Sequence, residues 1–415
     1  MSKIANVVQE QNRTTPAAAV IPSPLLDQVA DWLMDQALSE APIEAIFAGC
    51  CERLLAAGLP LLRGHISYRT LHPLYSGIGI TWVRGRELES VRFAHTDGPP
   101  PERWLQSPLH YIIERRMPVM RRRLAGEEAL LDFPILKEFR GSGGTDYIAF
   151  LEHFDADSDD GIVGSWVTDR EAGFSDAEVD ALTRLRTRLA VACKMSIRGQ
   201  LARNVMTTYL GPGAGLRVLE GQIRRGDGET LNAVIWYSDL RGSTRMSETL
   251  DPADYIRVLN DYFEAAAGAV LKTGGDVLGF IGDAVLAIFP IGEGKNAAAD
   301  ACEKALAASR LANTKLAKTN KARERKGEEV LVFGLGLHVG DVVFGNIGVP
   351  ERLSFSVIGP VVNTVARLES LTKTLRRPIL VSAQFADTLP IAWDSLGHHT
   401  VSGIAEPLVV YAPAT

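Results

Sequence analysis

Cysteine is scarce in this chain: four among 415 residues, Cys50, Cys51, Cys193 and Cys302. That number and scatter exclude a disulfide framework and a cysteine-ligated zinc site. No apolar run approaches the roughly 18 residues that a membrane span needs. The opening MSKIANVVQEQNRTTP has no hydrophobic segment of the kind a signal peptide carries. Neither sign of charge dominates, since 44 Lys and Arg face 50 Asp and Glu for a net −6. Such a balance gives no general attraction to nucleic acid or to an anionic membrane. These absences lead us to expect a cytoplasmic protein with no membrane span and no nucleic-acid partner. The basic run KLAKTNKARERKG at 315–327 then reads as an exposed helix end and loop, and His398-His399 has no partner at metal-ligand spacing.

What is present is the balance of an ordinary globular chain, 46% apolar and 23% charged. Its length allows two or three domains, each with its own core. Residues 1–24 are polar, then rich in Ala and Pro, and read as a disordered lead-in. A helical pattern runs from Leu25 to about Ala57, where Gly58 and Pro60 would stop it. Mixed, β-rich runs follow to about residue 172, the last two flanking DADSDDG as a hairpin. Helices at both ends with strands between suggest an α+β domain over 25–172, similar to small sensor domains of the GAF-like type. An unidentified small molecule or protein would be its ligand.

Residues 173–229 read as a helical stalk and connector. Ser175 and Glu178 form the pattern of a capping box at the start of a long helix. Leu182, Leu185, Leu189 and Ala192 are spaced 3-4-3, as in the seam of a paired helix. An ordinary helix packed on its own domain has the same spacing; a parallel dimer stalk is the expectation we carry forward. The Gly-rich stretch TYLGPGAGLRVLEGQIRRGDGE would be the joint to the next domain.

The domain over 230–415 holds the chemistry. LNAVIWYSD is a β-run ending at Asp239, followed by the turn LRGST. Asp251-Pro252 opens a helix whose buried face is expected to carry Ile256, Leu259, Phe263, Ala266 and Val270. DVLGFIGDAVLAIF is then a hairpin with Asp283 in its turn. One helical connection between β-run and hairpin can bring Asp239 and Asp283 side by side. Two adjoining carboxylates repel unless a cation lies between them, and hard Mg²⁺ or Mn²⁺ takes oxygen ligands. The backbone N–H groups of Leu240, Arg241, Gly242, Ser243 and Thr244 could cradle phosphate oxygens. LVFGLGLHVGDVVFG reads as a strand pair turning at Gly340-Asp341. It is followed by a helix on which Asn363 and Arg367, four apart, share a face. Arginine suits phosphate charge and asparagine suits a ribose oxygen.

The ordered set SDLRGST, GGDVLGFIGDAVLAIF, GLGLHVGDVVFGNIG and VIGPVVNTVARLE resembles the catalytic domain of class III nucleotide cyclases. The layout is similar to that of rhizobial-type bacterial adenylate cyclases. The resemblance implies a ferredoxin-like βαββαβ core acting as a head-to-tail homodimer. Asp239 and Asp283 of one copy would bind two Mg²⁺ or Mn²⁺ per site, and Asn363 and Arg367 would come from the other. ATP would be converted to cyclic AMP and pyrophosphate.

This sequence departs from the family pattern at the base. Where relatives carry a Lys before the hairpin turn, Gly279 stands here, and Ser356 occupies the second base-contacting position. The Glu and Cys of guanine-selective relatives are absent, so ATP is favoured. A guanylate or relaxed-specificity cyclase is the alternative, and a catalytically silent cyclase-like signalling module is another. Ser243 replaces an aromatic of the first motif, and Ser402 stands where relatives carry a basic residue on the triphosphate.

Overall fold

A computed structural model describes residues 23–39, 41–96, 98–155, 158–404 and 406–414. Most of the expected disordered lead-in, residues 1–22, lies outside the described residues, as does part of the DADSDDG turn. The chain divides into two compact units after Ala202.

The first unit runs through helices α1 (Ser23–Leu38) and α2 (Ile43–Ala56) into strands β1 (Leu61–Arg69), β2 (Tyr75–Val83) and β3 (Glu89–Ala94). Then come α3 (Glu102–Leu105), α4 (Pro108–Glu114), β4 (Val119–Arg123) and α5 (Pro134–Gly141). The hairpin β5 (Asp146–His153) and β6 (Gly161–Thr168) leads to the long α6 (Asp176–Leu210). The six strands form one antiparallel sheet ordered β3-β2-β1-β6-β5-β4. Side chains alternate across it. Ile148, Phe150 and Trp166 face a core shared with α1, α2 and α6, whereas Tyr147, Ala149 and Val163 pack with Ile112 of α4 and Leu136 of α5. The Phe150 and Trp166 rings stack at 4.3 Å.

Helix α6 opens as its sequence indicates. Glu178 N–H donates to Ser175 Oγ, and Ser175 N–H donates to the Glu178 carboxylate, a reciprocal capping box. The expected seam is corrected. Leu182, Leu185, Leu189 and Ala192 are fully buried in the core of the first unit against α1 and α2. Their spacing marks packing on the same domain, so they are not available to a second helix. The large apolar side chains that α6 leaves exposed are Val191, Met195, Val205 and Tyr209.

The second unit adds α7 (Pro212–Leu219), a short helix within the expected connector, and then β7 (Gly228–Leu240), α8 (Ser243–Thr249) and α9 (Pro252–Lys272). It continues with β8 (Asp276–Ile281), β9 (Ala284–Pro290), α10 (Ala297–Arg325), β10 (Phe333–Val349) and β11 (Arg352–Ile358). Last come α11 (Pro360–Leu375), β12 (Ile379–Ser382), α12 (Ala383–Ala386), β13 (Trp393–His399) and β14 (Leu408–Pro413). Strands β10-β7-β9-β8 lie side by side and antiparallel. With α9 and α10 packed on one face, they form the expected βαββαβ core. Strands β12, β14 and β13 extend the sheet beyond β10.

Two local readings change here. Residues 333–349 do not turn at Gly340-Asp341: they form one strand of 17 residues. Its partner β7 is long enough to pair from Leu240 opposite Phe333 to Gly228 opposite Gly345, so the ladder carries the chain straight through the Gly-Asp step. Asn232 Nδ2 donates to Asp341 Oδ1 across that pair at 2.7 Å. On α9, Ile256 is 57% exposed, and the buried stripe runs instead through Val258, Tyr262, Ala265, Ala266, Ala269 and Val270. The stripe is set by where the sheet lies: it keeps Ala266 and Val270 of the expected face and is rotated by less than a quarter turn from the face chosen by apolar residues alone.

Candidate active site

The end of β7 is held firmly. Trp236 Nε1 donates to Ser238 Oγ at 3.0 Å, and Ser238 Oγ lies 2.7 Å from Tyr262 Oη on α9. All three side chains are buried, so the strand end is anchored by satisfied polar groups as well as packing. Asp239 follows Ser238 and projects to the opposite side of the sheet.

Asp283 is brought to Asp239 by the β8–β9 turn. Asp239 pairs with Ala284, the residue after Asp283, and Leu240 N–H donates to the Asp283 carbonyl at 3.4 Å. Gly282 has φ 63°, in the left-handed region that lets this turn close tightly. The Asp239 carboxyl is held above the ordinary aspartate range, first by burial and second by the charge of Asp283; Lys373 and Arg241 oppose the shift. The two carboxylates therefore feel one another. Among the described residues no group of three or more His, Cys, Asp or Glu could hold a metal ion. The pair offers hard oxygen donors and negative charge that Lys373 and Arg241 offset only in part, which suits a divalent cation completing its shell with water or phosphate oxygens.

The LRGST turn is only partly as expected. The N–H of Leu240 is used by Asp283, and that of Arg241 donates to the Val332 carbonyl at 2.8 Å, so neither is free for phosphate. The Arg241 side chain turns towards α11, where it pairs with Glu369 at 2.9 Å and donates to Thr372 Oγ1. Gly242, in the left-handed region at φ 73°, precedes α8, which starts at Ser243 and Thr244.

Asn363 and Arg367 lie on α11 with exposed side chains. Neither makes a hydrogen bond or ion pair with another described residue. The buried side of the same helix carries Val365, Leu368, Glu369 and Thr372. One chain thus joins Asp239 to Asp283 but leaves Asn363 and Arg367 facing outward. Gly279 of β8 and Ser356 of β11 are both partly exposed, on strands that touch one another. A Cβ at Gly279 would meet no atom within 4 Å. Ser402 lies in the loop between β13 and β14, with no hydrogen-bond partner among the described residues. His338 is buried at 2.9 Å from Ser382 Oγ, and burial lowers its pKa to about 4; it is a packed residue.

Sequence reasoning missed Glu369 and Lys373. Glu369 is 3% exposed, and burial raises its pKa against the pull of Arg241. Lys373 Nζ lies 3.9 Å from Asp239 Oδ1. The clue was available: a Glu on the inward stripe of an amphipathic helix requires a buried partner.

Residues 228–411 match the family model described as the adenylate and guanylate cyclase catalytic domain. The chain is similar to an adenylate cyclase of Anabaena cylindrica, 35% identical over 164 residues, covering 39% of this chain and 31% of that protein. It is also similar to adenylate cyclase 1 of Rhizobium meliloti, 29% identical over 181 residues, covering 42% of this chain and 26% of that protein. The match therefore spans a third or less of these curated relatives. Among solved structures, the guanylyl cyclase Cya2 is 30% identical with a TM-score of 0.39, covering 44% of this chain and 92% of that one. The C-terminal unit of this chain belongs to the class III nucleotide cyclases, as one of their adenylate and guanylate cyclase catalytic domains.

Proposed function

We propose that the chain converts ATP to 3′,5′-cyclic AMP and pyrophosphate, at sites shared between two copies in a homodimer. One observation carries this reading: Asp239 and Asp283 adjoin at one place while Asn363 and Arg367 face outward from another. A second copy docked head to tail would bring its Asn363 and Arg367 to the first copy's carboxylates, making two such sites.

Asp239 and Asp283 would hold two Mg²⁺ or Mn²⁺. When bound, these ions lower the pKa of the ribose 3′-hydroxyl and offset phosphate charge. The chain supplies positioning. The anchored end of β7 and the tight Gly282 turn keep both carboxylates on rigid support. Arg367 of the partner subunit would stabilise charge on the α-phosphoryl group as the 3′-oxygen bonds to phosphorus and the bond to pyrophosphate breaks. Asn363 of the partner subunit would orient the ribose for in-line attack. Gly279 and Ser356 would lie along the base, Ser356 accepting from or donating to its edge.

In the same reading the first unit is a GAF-like sensor that biases closure of the two halves, acting in the cytoplasm where ATP is available. Its six-stranded antiparallel sheet with helices on both faces supports that comparison. A second reading, a guanylate or relaxed cyclase, is favoured by one observation: Gly279 has no side chain to select a base, with open space beside it.

The test is cyclic-nucleotide formation by the full chain with ATP or GTP and Mg²⁺ or Mn²⁺. Asp239→Ala and Arg367→Ala should each abolish product, and mixing the two variants should restore part of it. Cyclic GMP as the main product would favour the second reading. A folded dimer making no product under any condition would sink both.

A further inference from the structure

Arg241 and Glu369 are far apart in sequence yet form a largely buried ion pair. Arg241 is 21% exposed at the side chain and Glu369 3%, with nitrogen and oxygen 2.9 Å apart. Thr372, one turn further along α11, accepts from the same Arg241 nitrogen. The space for this cluster is made by Gly334 of β10, the register partner of Asp239. A Cβ at Gly334 would collide with the Arg241 guanidinium, the Glu369 carboxylate and the Thr372 hydroxyl. Two residues further along the strand and on the same face, Gly336 lets α11 approach closely: a Cβ there would meet the Val365 carbonyl at 2.6 Å. The pair thus ties the residue two beyond Asp239 to the buried side of the helix that presents Asn363 and Arg367.

We propose that Arg241 and Glu369 are positioning residues that lock α11 to the carboxylate strand, and so couple the two shared sites. This rests on the proposed shared-site function. In each copy, β7 serves one site while α11 serves the other. A rigid link between them passes a displacement at one site to the groups that complete the second. Removing one charge leaves the other buried without its partner, which is costly, so the helix shifts instead. A displacement of about 1 Å is enough to cost roughly 100-fold in rate.

Hybrid dimers of the full chain test this. Asp239→Ala and Arg367→Ala chains are mixed, which leaves one intact site. The Asp239→Ala chain supplies its Asn363 and Arg367, and the Arg367→Ala chain supplies its Asp239 and Asp283. Glu369→Gln is then added to one chain at a time, with melting temperature followed throughout. In the Asp239→Ala chain it should lower kcat by roughly tenfold or more, with KM for the nucleotide changed less than about twofold. The affected α11 lies on the chain that contributes no metal ligand to that site, so local damage at the carboxylates cannot produce this result. Arg241→Lys in the same chain keeps the charge but replaces the planar guanidinium, one nitrogen of which meets both Glu369 and Thr372, and should give a smaller fall in kcat. Unchanged kcat with Glu369→Gln or Arg241→Lys in that chain, folded and dimeric, would overturn the proposal. A parent pair that forms folded hybrid dimers but makes no product would instead refute the shared-site reading.

Discussion

Lys373 places its ammonium nitrogen 3.9 Å from Asp239 Oδ1, the one cationic side chain among the described residues that forms an ion pair with that carboxylate. Arg241, nearer in sequence, spends its guanidinium on Glu369 and Thr372. Lys373 therefore offsets part of the charge that a divalent cation would neutralise, and it competes with that cation for the carboxylate. The lysine side chain is 61% exposed, so solvent screens the pair and its effect is modest, at most about 1 kcal/mol. Lys373→Gln is expected to lower the half-saturating Mn²⁺ concentration by up to about fivefold, with Mn²⁺ titrations of activity and of melting temperature as the check. A weaker metal response would show that Lys373 assists binding.

The raised pKa of Asp239 makes the metal effect pH-dependent, with a definite sign. Its folded-state value lies above the unfolded one, so the folded chain holds this proton more tightly. The resulting stabilisation is present below the unfolded value and is lost as pH rises through the folded value. Near neutral pH the ionised pair costs stability unless a cation bridges it. The gain in melting temperature on adding Mn²⁺ should therefore be small near pH 4 and grow towards about pH 7. A gain that is flat with pH would remove Asp239 from the metal site.

Gly279 is open to substitution. Its added Cβ would meet nothing within 4 Å, and its backbone is not in the left-handed region. Gly279→Lys should change stability by no more than about 0.5 kcal/mol. A side chain that can hydrogen-bond adenine should raise the preference for ATP over GTP roughly tenfold in kcat/KM. Competing-substrate assays would measure it, and an unchanged ratio would place the base elsewhere.

Gly334 is the opposite case. Gly334→Ala adds a methyl group where Arg241, Glu369 and Thr372 already meet. Overpacking should cost roughly 1–3 kcal/mol. Calorimetry of the full chain should show the loss in the transition of the second unit. A neutral substitution would mean that the cluster is looser than its geometry indicates.

Helix α6 offers a paired test of which face is internal. Leu185 is 4% exposed in the core of the first unit, whereas Met195 is 48% exposed. Leu185→Ala should cost about 2–5 kcal/mol of stability. Met195→Ala should leave folding within about 0.5 kcal/mol. Reversal of that order, read from denaturant unfolding, would reinstate the leucines as an intermolecular seam.

Much of the chemistry was legible because it is local. A carboxylate at a strand end, another in a hairpin turn, and an Asn–Arg pair four apart on a helix are short-range patterns. The capping box of Ser175 and Glu178 is equally local, and both of its hydrogen bonds are present. Periodicity was less informative. It shows that a helix has an apolar stripe but does not name the neighbour that covers it. Leu182 to Ala192 were therefore assigned to a second copy when α1 and α2 bury them, and Ile256 was placed inside when it is exposed.

By itself, then, the sequence determined β7, α9 and the β8–β9 hairpin, the carboxylates near the turn and the helix bearing Asn363 and Arg367. Such features depend on residues within one or two turns of one another. Tertiary structure alone decided that Gly340-Asp341 runs straight, because the long partner strand β7 continues the antiparallel ladder through both residues. It also decided that Arg241 serves Glu369 instead of a phosphate, and that Lys373 reaches Asp239. A buried charge must find its partner wherever the fold places one, and sequence separation carries no record of that distance.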